Sequence, residues 1–226
     1  MEKEKKLNLI KEVPFWWHTI DFEDGVITPG QTPQFAQDIR LSSIPQNIWG
    51  KSVLDIGCWD GFFAFECEKR GADVTAIDNL QQEDFVKSKY NIDFSGNKGF
   101  ETAKQILNSK VSYLCKDFYE IKDTLFDIVL FFGILYHTKH PLLALEHLFT
   151  ITNELLILES HYIPDDNGNS YMKFYAKDEE NQDPTNWWGP TTTCIQKMSE
   201  VAGFSKIECL KNYYDNDNRV IFHCYK

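Results

Sequence analysis

The sequence predicts an α/β fold, a doubly wound domain with a mostly parallel seven-stranded sheet. An apolar run at residues 53–56 leads into a glycine turn at residues 57–61, and a helical pattern begins directly after it. A second apolar run, at residues 74–77, is followed by Asp78, twenty-one residues after Gly57. In doubly wound domains, a glycine turn after the first strand and an acidic residue after the second hold a ligand that contains adenosine.

Strand and helix patterns alternate from residue 51 onward, and glycine, proline or polar turn residues separate them. The predicted strands are residues 52–56, 74–77, 111–115, 126–132, 155–159, 207–210 and 220–224. The predicted helices are residues 62–70, 99–108, 141–150 and 191–202. This order gives a parallel sheet with helices on both faces. The last two strands are expected to form a hairpin at the sheet edge.

Two segments fall outside this alternation. Residues 1–48 are predicted to form an N-terminal cap, in which residues 3–13 are a short helix and four prolines divide the rest into turns and short pieces. Residues 49–226 form the predicted ligand-binding domain. A long polar insertion at about 163–190 interrupts this domain.

Composition narrows the classes of partner. The net charge is −11 and only three arginines occur, Arg40, Arg70 and Arg219, so a nucleic-acid partner such as tRNA is disfavoured and a small-molecule acceptor is favoured. No apolar run approaches the roughly 20 residues that span a membrane, and residues 1–10 lack the apolar core of a signal peptide. A soluble cytoplasmic protein with no membrane partner is therefore expected. The oligomeric state stays open.

Cysteine and histidine spacing argues against a metal site. The six cysteines are scattered without a CxxC pair, which is typical of reduced thiols in or near a core. His137 and His140 are three residues apart, but Pro141 follows and no third ligand is near. No metal cofactor is predicted.

Four aspartates lie at or after the ends of predicted strands. Asp55 ends the first strand and either orients the glycine turn or reaches the amino group of the ligand. Asp60 precedes the first helix of the domain, which favours an N-cap role, with ligand binding as the alternative. Asp78 is predicted to accept hydrogen bonds from ribose hydroxyls. Asp117, after the third strand, either lies beside an adenine or caps a helix.

A tyrosine and two histidines follow the fourth and fifth strands. Strand 126–132 is followed by Gly133 and then by Tyr136 and His137 on a loop. A side chain in this place can position the reacting group or move a proton. His161 follows the fifth strand, so it is expected at the same edge of the sheet. The predicted catalytic residues are therefore His137, Tyr136 and His161, with either histidine as the base.

The glycine turn also limits the choice of cofactor. The chain has no GxxxxGK[ST] loop, and Trp59 replaces the middle glycine of the GxGxxG form that nicotinamide enzymes use. A bulky residue at that position would crowd a pyrophosphate. The turn therefore favours an adenosine cofactor without phosphates, and S-adenosylmethionine is the common one.

Taken together, these residues resemble the class I S-adenosylmethionine-dependent methyltransferases. More narrowly, the chain is similar to the group named after the tRNA wobble-uridine (5-oxyacetic acid) methyltransferase, as a small stand-alone member. The matching segments are residues 16–20, 24–26, 28–30, 55–61, 62–71, 126–137, 140–142, 183–188 and 202–204. The first turn alone indicates only a class I methyltransferase, whereas the combination is more specific.

The resemblance implies that Gly57, Asp78 and the loop with Asp117 hold the adenosine, and that Tyr136 and His137 lie near the sulfonium. The predicted cofactor-binding residues are Trp17, His18, Asp55, Gly57, Cys58, Asp60, Asp78, Asn79, Asp117, Phe118, Phe132, Gly133 and Tyr136. The founding enzyme of the group uses carboxy-S-adenosylmethionine, and it reads the extra carboxylate with basic residues and the tyrosine of its Leu-Tyr-His motif. Here the segment around residues 16–18 offers no lysine or arginine, so S-adenosylmethionine and plain methyl transfer are favoured.

Three functions follow from the sequence. The favoured one is O-methylation of a small metabolite, such as a sugar or a natural-product intermediate. In this case Trp187 and Trp188 either form a wall of the acceptor pocket or fill a core. The second is a tRNA wobble-uridine (carboxy)methyltransferase. The third is a catalytically silent, cofactor-binding partner subunit, which the intact glycine turn and Asp78 argue against.

Overall fold

The computed structural model describes residues 1–93, 96–165, 167–210 and 218–226. The α-helices of these residues are α1 (Lys3–Lys11), α2 (Gln34–Ser43), α3 (Phe62–Lys69), α4 (Glu83–Tyr90), α5 (Lys98–Leu107), α6 (Pro141–Ile151) and α7 (Thr192–Ala202). The strands are β1 (Ser52–Ile56), β2 (Asp73–Asp78), β3 (Ser112–Cys115), β4 (Phe126–Phe132), β5 (Thr152–His161), β6 (Met172–Phe174), β7 (Trp188–Pro190), β8 (Lys206–Leu210) and β9 (Arg219–Tyr225). Two short 3-10 helices cover Phe118–Glu120 and Leu135–His137.

Seven strands form one sheet in the order β3-β2-β1-β4-β5-β9-β8, and β6 and β7 form a separate two-stranded sheet. The pairs β1–β2, β2–β3 and β4–β5 are parallel, whereas β5–β9 and β8–β9 are antiparallel. The predicted mostly parallel, doubly wound sheet is confirmed. The predicted terminal hairpin is also confirmed, with β8 at the edge of the sheet.

The chain divides into two compact units, Met1–Phe118 and Tyr119–Lys226. In the first unit, Ile56 pairs with Ile77, and Asp78 pairs with Cys115. The carboxyl ends of three parallel strands therefore meet at one edge, and the glycine turn starts from this edge. In doubly wound sheets this is the edge at which ligands bind.

In the second unit, the strand register gathers residues that are distant in sequence. Phe132, the last residue of β4, pairs with Glu159 of β5. Because β9 is antiparallel to β5, its first residue, Arg219, lies opposite His161 at the carboxyl end of β5. Polar side chains from three strands are thus placed at one edge of this unit.

Two helices and one pair of strands were not predicted from the sequence. Helix α2 lies in the segment expected to hold only turns, because Pro33 was interpreted as a breaker although it stands at the N-cap of this helix. Helix α4 buries only Val86 fully, so its apolar period is weak. The β6–β7 pair lies inside the region interpreted as a polar insertion, and Phe174 pairs there with Trp188.

Within the described part of the chain, no helix combines the length and the apolar character that a membrane crossing requires.

Gly61 is expected to tolerate no side chain, and Gly50 provides the matched control. Both have left-handed backbones, with φ of +81° and +71°, but a Cβ on Gly61 would lie 2.6 Å from the Phe100 ring and 2.7 Å from the Phe65 ring, whereas one on Gly50 would meet nothing within 4 Å. Gly50→Ala should cost about 1 kcal/mol of backbone strain. Gly61→Ala should cost about 2–4 kcal/mol, because overpacking adds to the strain. Urea unfolding of both variants measures the difference, and equal losses would contradict the packing account.

Candidate functional site

The first unit holds the glycine turn against the end of β2. The backbone N–H groups of Gly57 and Cys58 both donate to the carbonyl oxygen of Ile77, at 2.8 and 3.2 Å. Gly57 has a left-handed φ of +67°, and Trp59 follows with a left-handed φ of +48°, which is uncommon for a bulky residue. The N–H of Trp59 donates to Asp78 Oδ2 at 3.1 Å. Asp78 therefore fixes the turn as well as facing the ligand side.

Asp78 lines a pocket of the first unit that encloses about 330 Å³, part of it open to solvent. Asp78 Oδ1 accepts a hydrogen bond from the N–H of Leu80 at 2.8 Å. The pocket is lined by Trp59, Asp60, Asp78, Leu80, Gln82, Glu83, Gly96, Asn97, Gly99 and Phe100. None of these described lining residues is basic.

The predicted residues after β2 and β3 are joined to each other. Asn79 Nδ2 donates to Asp117 Oδ2 at 3.0 Å, which links the ends of the two neighbouring strands. Phe118 is buried where the first 3-10 helix begins.

Asp60 is not the N-cap of α3, which corrects the role that the sequence favoured. The N-cap is Gly61, and no side chain caps this helix. Asp60 Oδ2 instead accepts hydrogen bonds from the N–H groups of Trp17 and His18, at 2.6 and 2.9 Å. Its other oxygen lies against Gly99, where an added Cβ would come within 2.2 Å. Asp60 thus connects the N-terminal segment to the glycine turn. It does not cap α3, because it lies one residue before the N-cap, Gly61.

Aromatic side chains surround the contact between Asp60 and the N-terminal segment. The rings of Trp17 and Trp59 stack, with centroids 5.2 Å apart and planes 16° apart. The ring of His18 stacks on Phe62 at 5.8 Å. Burial and, to a smaller extent, the positive charge of Arg40 lower the pKa of His18 to about 3, so this imidazole is neutral. Its Nδ1 atom is buried without a hydrogen-bond partner among the described residues.

Three carboxyl groups of the first unit share a desolvated environment. Burial raises the pKa of Asp55 to about 8, although a hydrogen bond from the backbone of Ala64 lowers it. Burial also raises the pKa of Asp60 to about 7. Burial also raises the pKa of Asp78, and the charge of Asp78 raises those of the other two. The Asp55 Oδ2 atom is buried and has no hydrogen-bond partner among the described residues. Such a site suits a cationic ligand that can donate hydrogen bonds.

These features fit S-adenosylmethionine, which has a sulfonium and an ammonium group and lacks phosphates. Carboxylates near both cationic groups would be stabilised in their charged form. The partnerless Asp55 oxygen offers an acceptor, and Asp78 stands where ribose hydroxyls are bound in this fold class. A ligand with an additional negative charge gains nothing from this acidic lining.

The free energy of unfolding of the cofactor-free protein should decrease as the pH rises from about 6.5 to about 8. Asp55 and Asp60 stay protonated in the folded chain to higher pH than in the unfolded chain, so their contribution is lost as pH rises through their folded pKa values of about 8 and about 7. Below about pH 6.5, His18, His137 and His161 make stability rise with pH. Burial lowers their pKa values, so the unfolded chain binds protons there that the folded chain does not. Above it, only the aspartate effect remains among these groups. We expect a loss of about 2 kcal/mol.

Thermal unfolding across this pH range provides the measurement, and the melting temperature should fall by about 4–8 °C. Asp55→Asn should flatten the profile, since it removes the group with the higher folded pKa. A wild-type melting temperature that rises steadily to pH 8 would contradict the assignment.

In the second unit, Tyr136 lies in a polar cluster at the sheet edge. Arg219 Nη1 donates to Tyr136 Oη at 2.8 Å, and the guanidinium also lies over the tyrosine ring, 4.7 Å from its centroid. The same Nη1 is 3.6 Å from Oε1 of Glu159, which is fully buried. Gly133, with a left-handed φ of +73°, follows Phe132 and lies near Tyr136 and Glu159.

His137 is oriented by a chain of hydrogen bonds. Its Nδ1 lies 3.0 Å from the carbonyl oxygen of Thr185 and 2.9 Å from the Thr185 hydroxyl. That hydroxyl donates to Asp183 Oδ1 at 2.5 Å. Because a carbonyl oxygen only accepts, Nδ1 has the proton and Nε2 is the basic nitrogen. Burial lowers the pKa of His137 to about 4, although the charge of Asp183 raises it.

His161 has different hydrogen-bond partners from His137. Its Nε2 lies 3.0 Å from Tyr175 Oη and 4.0 Å from Glu180 Oε1. Its ring meets the ring of Tyr136 edge-on, with centroids 6.0 Å apart. Burial lowers the pKa of His161 to about 4, so this imidazole is also neutral at pH 7. Its contacts are those of a side chain that supports Tyr136.

The structure brings most predicted residues into two groups, one in each unit. The first contains Trp17, His18, Asp55, Gly57, Cys58, Asp60 and Asp78, with Asn79 paired to Asp117. The second contains Phe132, Gly133, Tyr136, His137 and His161. Sequence reasoning missed Arg219 and the Asp183–Thr185 pair. The rarity of arginine in this chain was a signal for Arg219, and the matching segment at residues 183–188 contains the pair without indicating its contact with His137.

Comparison with known proteins identifies the family. A model described as "Methyltransferase domain" matches residues 30–204. The tRNA U34 carboxymethyltransferase of Sulfurovum sp. (strain NBC37-1) is 29% identical over 173 residues, which are 72% of this chain and 50% of the relative. The same-named protein of Desulfotalea psychrophila is 27% identical over 177 residues, which are 75% and 50% of the two chains. The chain thus spans about half the length of these curated relatives.

Solved structures share the fold. The N-terminal domain of EvdMO1, solved in the presence of SAH and D-fucose, aligns with a TM-score of 0.72 and 16% identity over 100% of this chain and 97% of that one. Magnesium protoporphyrin IX methyltransferase from Synechocystis PCC 6803, with bound SAM, aligns with a TM-score of 0.56 and 18% identity over 87% and 86%.

The family match covers more than half of the chain, and the fold agrees with it. The resemblance inferred from the glycine turn is therefore confirmed. The chain belongs to the methyltransferase domain family.

Proposed function

We propose that this methyltransferase methylates a hydroxyl group of a small metabolite, such as a sugar or a natural-product intermediate. The orientation of His137 is the observation that supports this proposal most. A hydroxyl acceptor must lose its proton during methylation, so its enzyme needs a base. His137 offers one, because the proton on Nδ1 is held by Thr185 and Nε2 is left basic.

His137 is suited to accept the proton of the hydroxyl late in the methyl transfer. With a pKa of about 4, His137 is neutral at physiological pH and ready to accept a proton. A hydroxyl oxygen becomes strongly acidic as its bond to the methyl carbon forms, so a weak base suffices. Asp183 then stabilises the protonated imidazole through the Thr185 hydroxyl, 2.5 Å from its Oδ1.

The first unit would hold the cofactor. When bound, S-adenosylmethionine supplies an electrophilic methyl group for an in-line displacement. In the proposal, Asp78 accepts hydrogen bonds from the ribose, Asp55 accepts one from a cationic group, and Asp117 lies beside the adenine. Asp60 positions the proposed N-terminal cap, residues 1–48, through Trp17 and His18. Catalysis then rests largely on positioning.

A small, uncharged or weakly charged acceptor agrees with the net charge of −11. Anionic partners are repelled by such a surface unless basic residues are grouped locally. The EvdMO1 domain, which matches the whole length of this chain, was solved with D-fucose and SAH. This likeness concerns the fold, and the sugar belongs to that protein.

A second candidate is carboxymethyl transfer to tRNA, as the names of the curated relatives suggest. One observation favours it. Arg219 lies against Tyr136, the tyrosine of the Leu-Tyr-His motif, and thus supplies a basic residue that the sequence argument did not find. However, Glu159 lies 3.6 Å from Arg219 and offsets its charge. Plain methyl transfer therefore remains the preferred proposal.

Product analysis tests the two candidates against each other. Purified chain is incubated separately with S-adenosylmethionine and with carboxy-S-adenosylmethionine, each with a library of sugars and hydroxylated metabolites or with unmodified tRNA. The proposal expects S-adenosylhomocysteine release and a methylated small molecule. Carboxymethylated tRNA would instead establish the second candidate. Cofactor binding with no product from any acceptor would favour the silent partner subunit.

A further inference from the structure

The first unit contains a group of packed apolar side chains, called the aromatic cluster below, that joins three separate parts of the chain. It contains Phe15 and Trp17 of the N-terminal segment, Trp59 of the glycine turn, and Phe85, Val86 and Tyr90 of α4. The ring centroid of Phe15 lies 5.1 Å from that of Tyr90 and 6.1 Å from that of Trp59. The cluster thus connects the N-terminal segment, the glycine turn and α4.

The segment that contains α4 forms one side of the pocket that contains Asp78. The lining residues on this side are Leu80, Gln82 and Glu83, before the helix and at its start, and Gly96 and Asn97, after its end. The N–H of Gly96 donates to Glu83 Oε1 at 2.5 Å, so the points at which the chain leaves and rejoins the pocket are bonded to each other. A displacement of α4 would therefore open this side of the pocket.

The position of α4 depends on the aromatic cluster. The helix has eight residues, and Val86 is the one among them that is buried. Val86 is fully buried and belongs to the cluster with Phe15, which is 5% exposed. A helix of this length is not stable in water without tertiary packing. The packing of Val86 and the neighbouring rings with Phe15 therefore holds α4 beside the pocket.

The N-terminal segment gives Phe15 a fixed position. Two residues further on, the N–H of Trp17 donates to Asp60 Oδ2, and the Trp17 ring stacks on that of Trp59. On the other side of Phe15, Lys98 Nζ at the start of α5 donates to the carbonyl oxygen of Glu12 at 2.7 Å. The segment is thus bonded on both sides of Phe15 to elements that border the pocket.

We propose that Phe15 and Val86 are positioning residues of the cofactor site. By holding α4 at the pocket, they slow the release of S-adenosylmethionine and of its product, S-adenosylhomocysteine. Neither of these two described side chains lines the pocket, so both act through α4. This inference rests on the placement of the cofactor in the first unit under the proposed function. It goes further by assigning retention of the cofactor to the packing of the N-terminal segment on α4.

Surface plasmon resonance on the immobilised full chain, with S-adenosylhomocysteine as the probe, tests the proposal. Phe15→Leu and Val86→Ala should each raise the dissociation rate constant about tenfold, because each weakens the packing that holds α4. The association rate constant should change less than about twofold, since the pocket must be open for entry in every variant. The double variant should dissociate about as fast as the faster single variant, because both side chains belong to one cluster.

Phe22→Leu is the matched control. Phe22 belongs to the same N-terminal segment and is buried, with 2% exposed, but it is not part of the aromatic cluster. Its substitution should lower the melting temperature by an amount comparable with that of Phe15→Leu and leave the dissociation rate at the wild-type value. A purely structural role of Phe15 would give these two variants the same dissociation rate.

Wild-type dissociation rates in both Phe15→Leu and Val86→Ala would overturn the proposal, as would an equal increase in Phe22→Leu. Asp78→Asn distinguishes this failure from failure of the proposed cofactor site. If Asp78→Asn weakens binding while the two packing variants release S-adenosylhomocysteine at the wild-type rate, only the role of α4 is wrong. If all three variants behave like wild type, the cofactor does not bind in this pocket, and both proposals fail.

Discussion

Replacing Asp78 with asparagine is expected to weaken S-adenosylmethionine binding by about 10- to 150-fold. Hydrogen bonds to a charged group contribute about 1.5–3 kcal/mol, and this substitution removes the charge that the ribose hydroxyls and the cofactor cations would meet. The carboxylate also accepts the N–H groups of Trp59 and Leu80, at 3.1 and 2.8 Å. An asparagine has one acceptor oxygen in place of two, so either the N–H of Trp59 or that of Leu80 loses its acceptor as well.

Asp73→Asn is the matched control for this experiment. It removes one carboxylate from the opposite end of the same strand, where the side chain is exposed. Calorimetric titration with S-adenosylmethionine should show wild-type affinity for Asp73→Asn and the predicted loss for Asp78→Asn. If the two variants bind equally well, Asp78 is not a cofactor ligand.

Replacing His137 with alanine is expected to lower kcat by about 10²- to 10⁴-fold, the usual contribution of a general base. The loss should appear in kcat and not in the affinity for S-adenosylmethionine, because the cofactor ligands of the proposal lie in the first unit. Since the pKa of His137 is held near 4, wild-type kcat should be nearly independent of pH between about pH 6 and 9. Steady-state kinetics with an identified acceptor provides the measurement.

His140→Ala is the control, since this exposed histidine belongs to the same segment and lacks the contact with Thr185. It should retain wild-type turnover. Asp183→Asn should lower kcat less than His137→Ala does, because it removes only the charge that stabilises the protonated imidazole. Wild-type turnover in His137→Ala would eliminate this residue as the base, and a loss in His161→Ala instead would transfer the role to that residue.

The central strands of the sheet could be predicted because they are buried on both faces. β1 and β4 have the predicted limits, since a continuous apolar run bounded by polar residues marks a buried parallel strand. The short helices were harder. Helix α4 has acidic residues in its first turn and lysines in its last, as helix dipoles favour, yet it buries too little apolar surface to show a period.

The position of a site candidate could be predicted where the residue lies at the end of a strand or soon after it. Asp78 ends β2, and Tyr136 lies in the 3-10 helix that follows β4. Arg219 could not be found this way, since an antiparallel strand brings it to Tyr136 from 83 positions further along the chain. The role of Asp60 also depends on distant partners, the N–H groups of Trp17 and His18. Sequence spacing contains no information about such contacts.

The central claim is that the acidic pocket of the first unit serves a cationic cofactor for plain methyl transfer. Calorimetric titration of the purified chain with S-adenosylmethionine and with carboxy-S-adenosylmethionine, at one pH near 8, tests it most directly. Asp55, Asp60 and Asp78 should make S-adenosylmethionine the tighter ligand by at least about tenfold, the equivalent of about 1.4 kcal/mol. Equal or tighter binding of carboxy-S-adenosylmethionine would contradict the account.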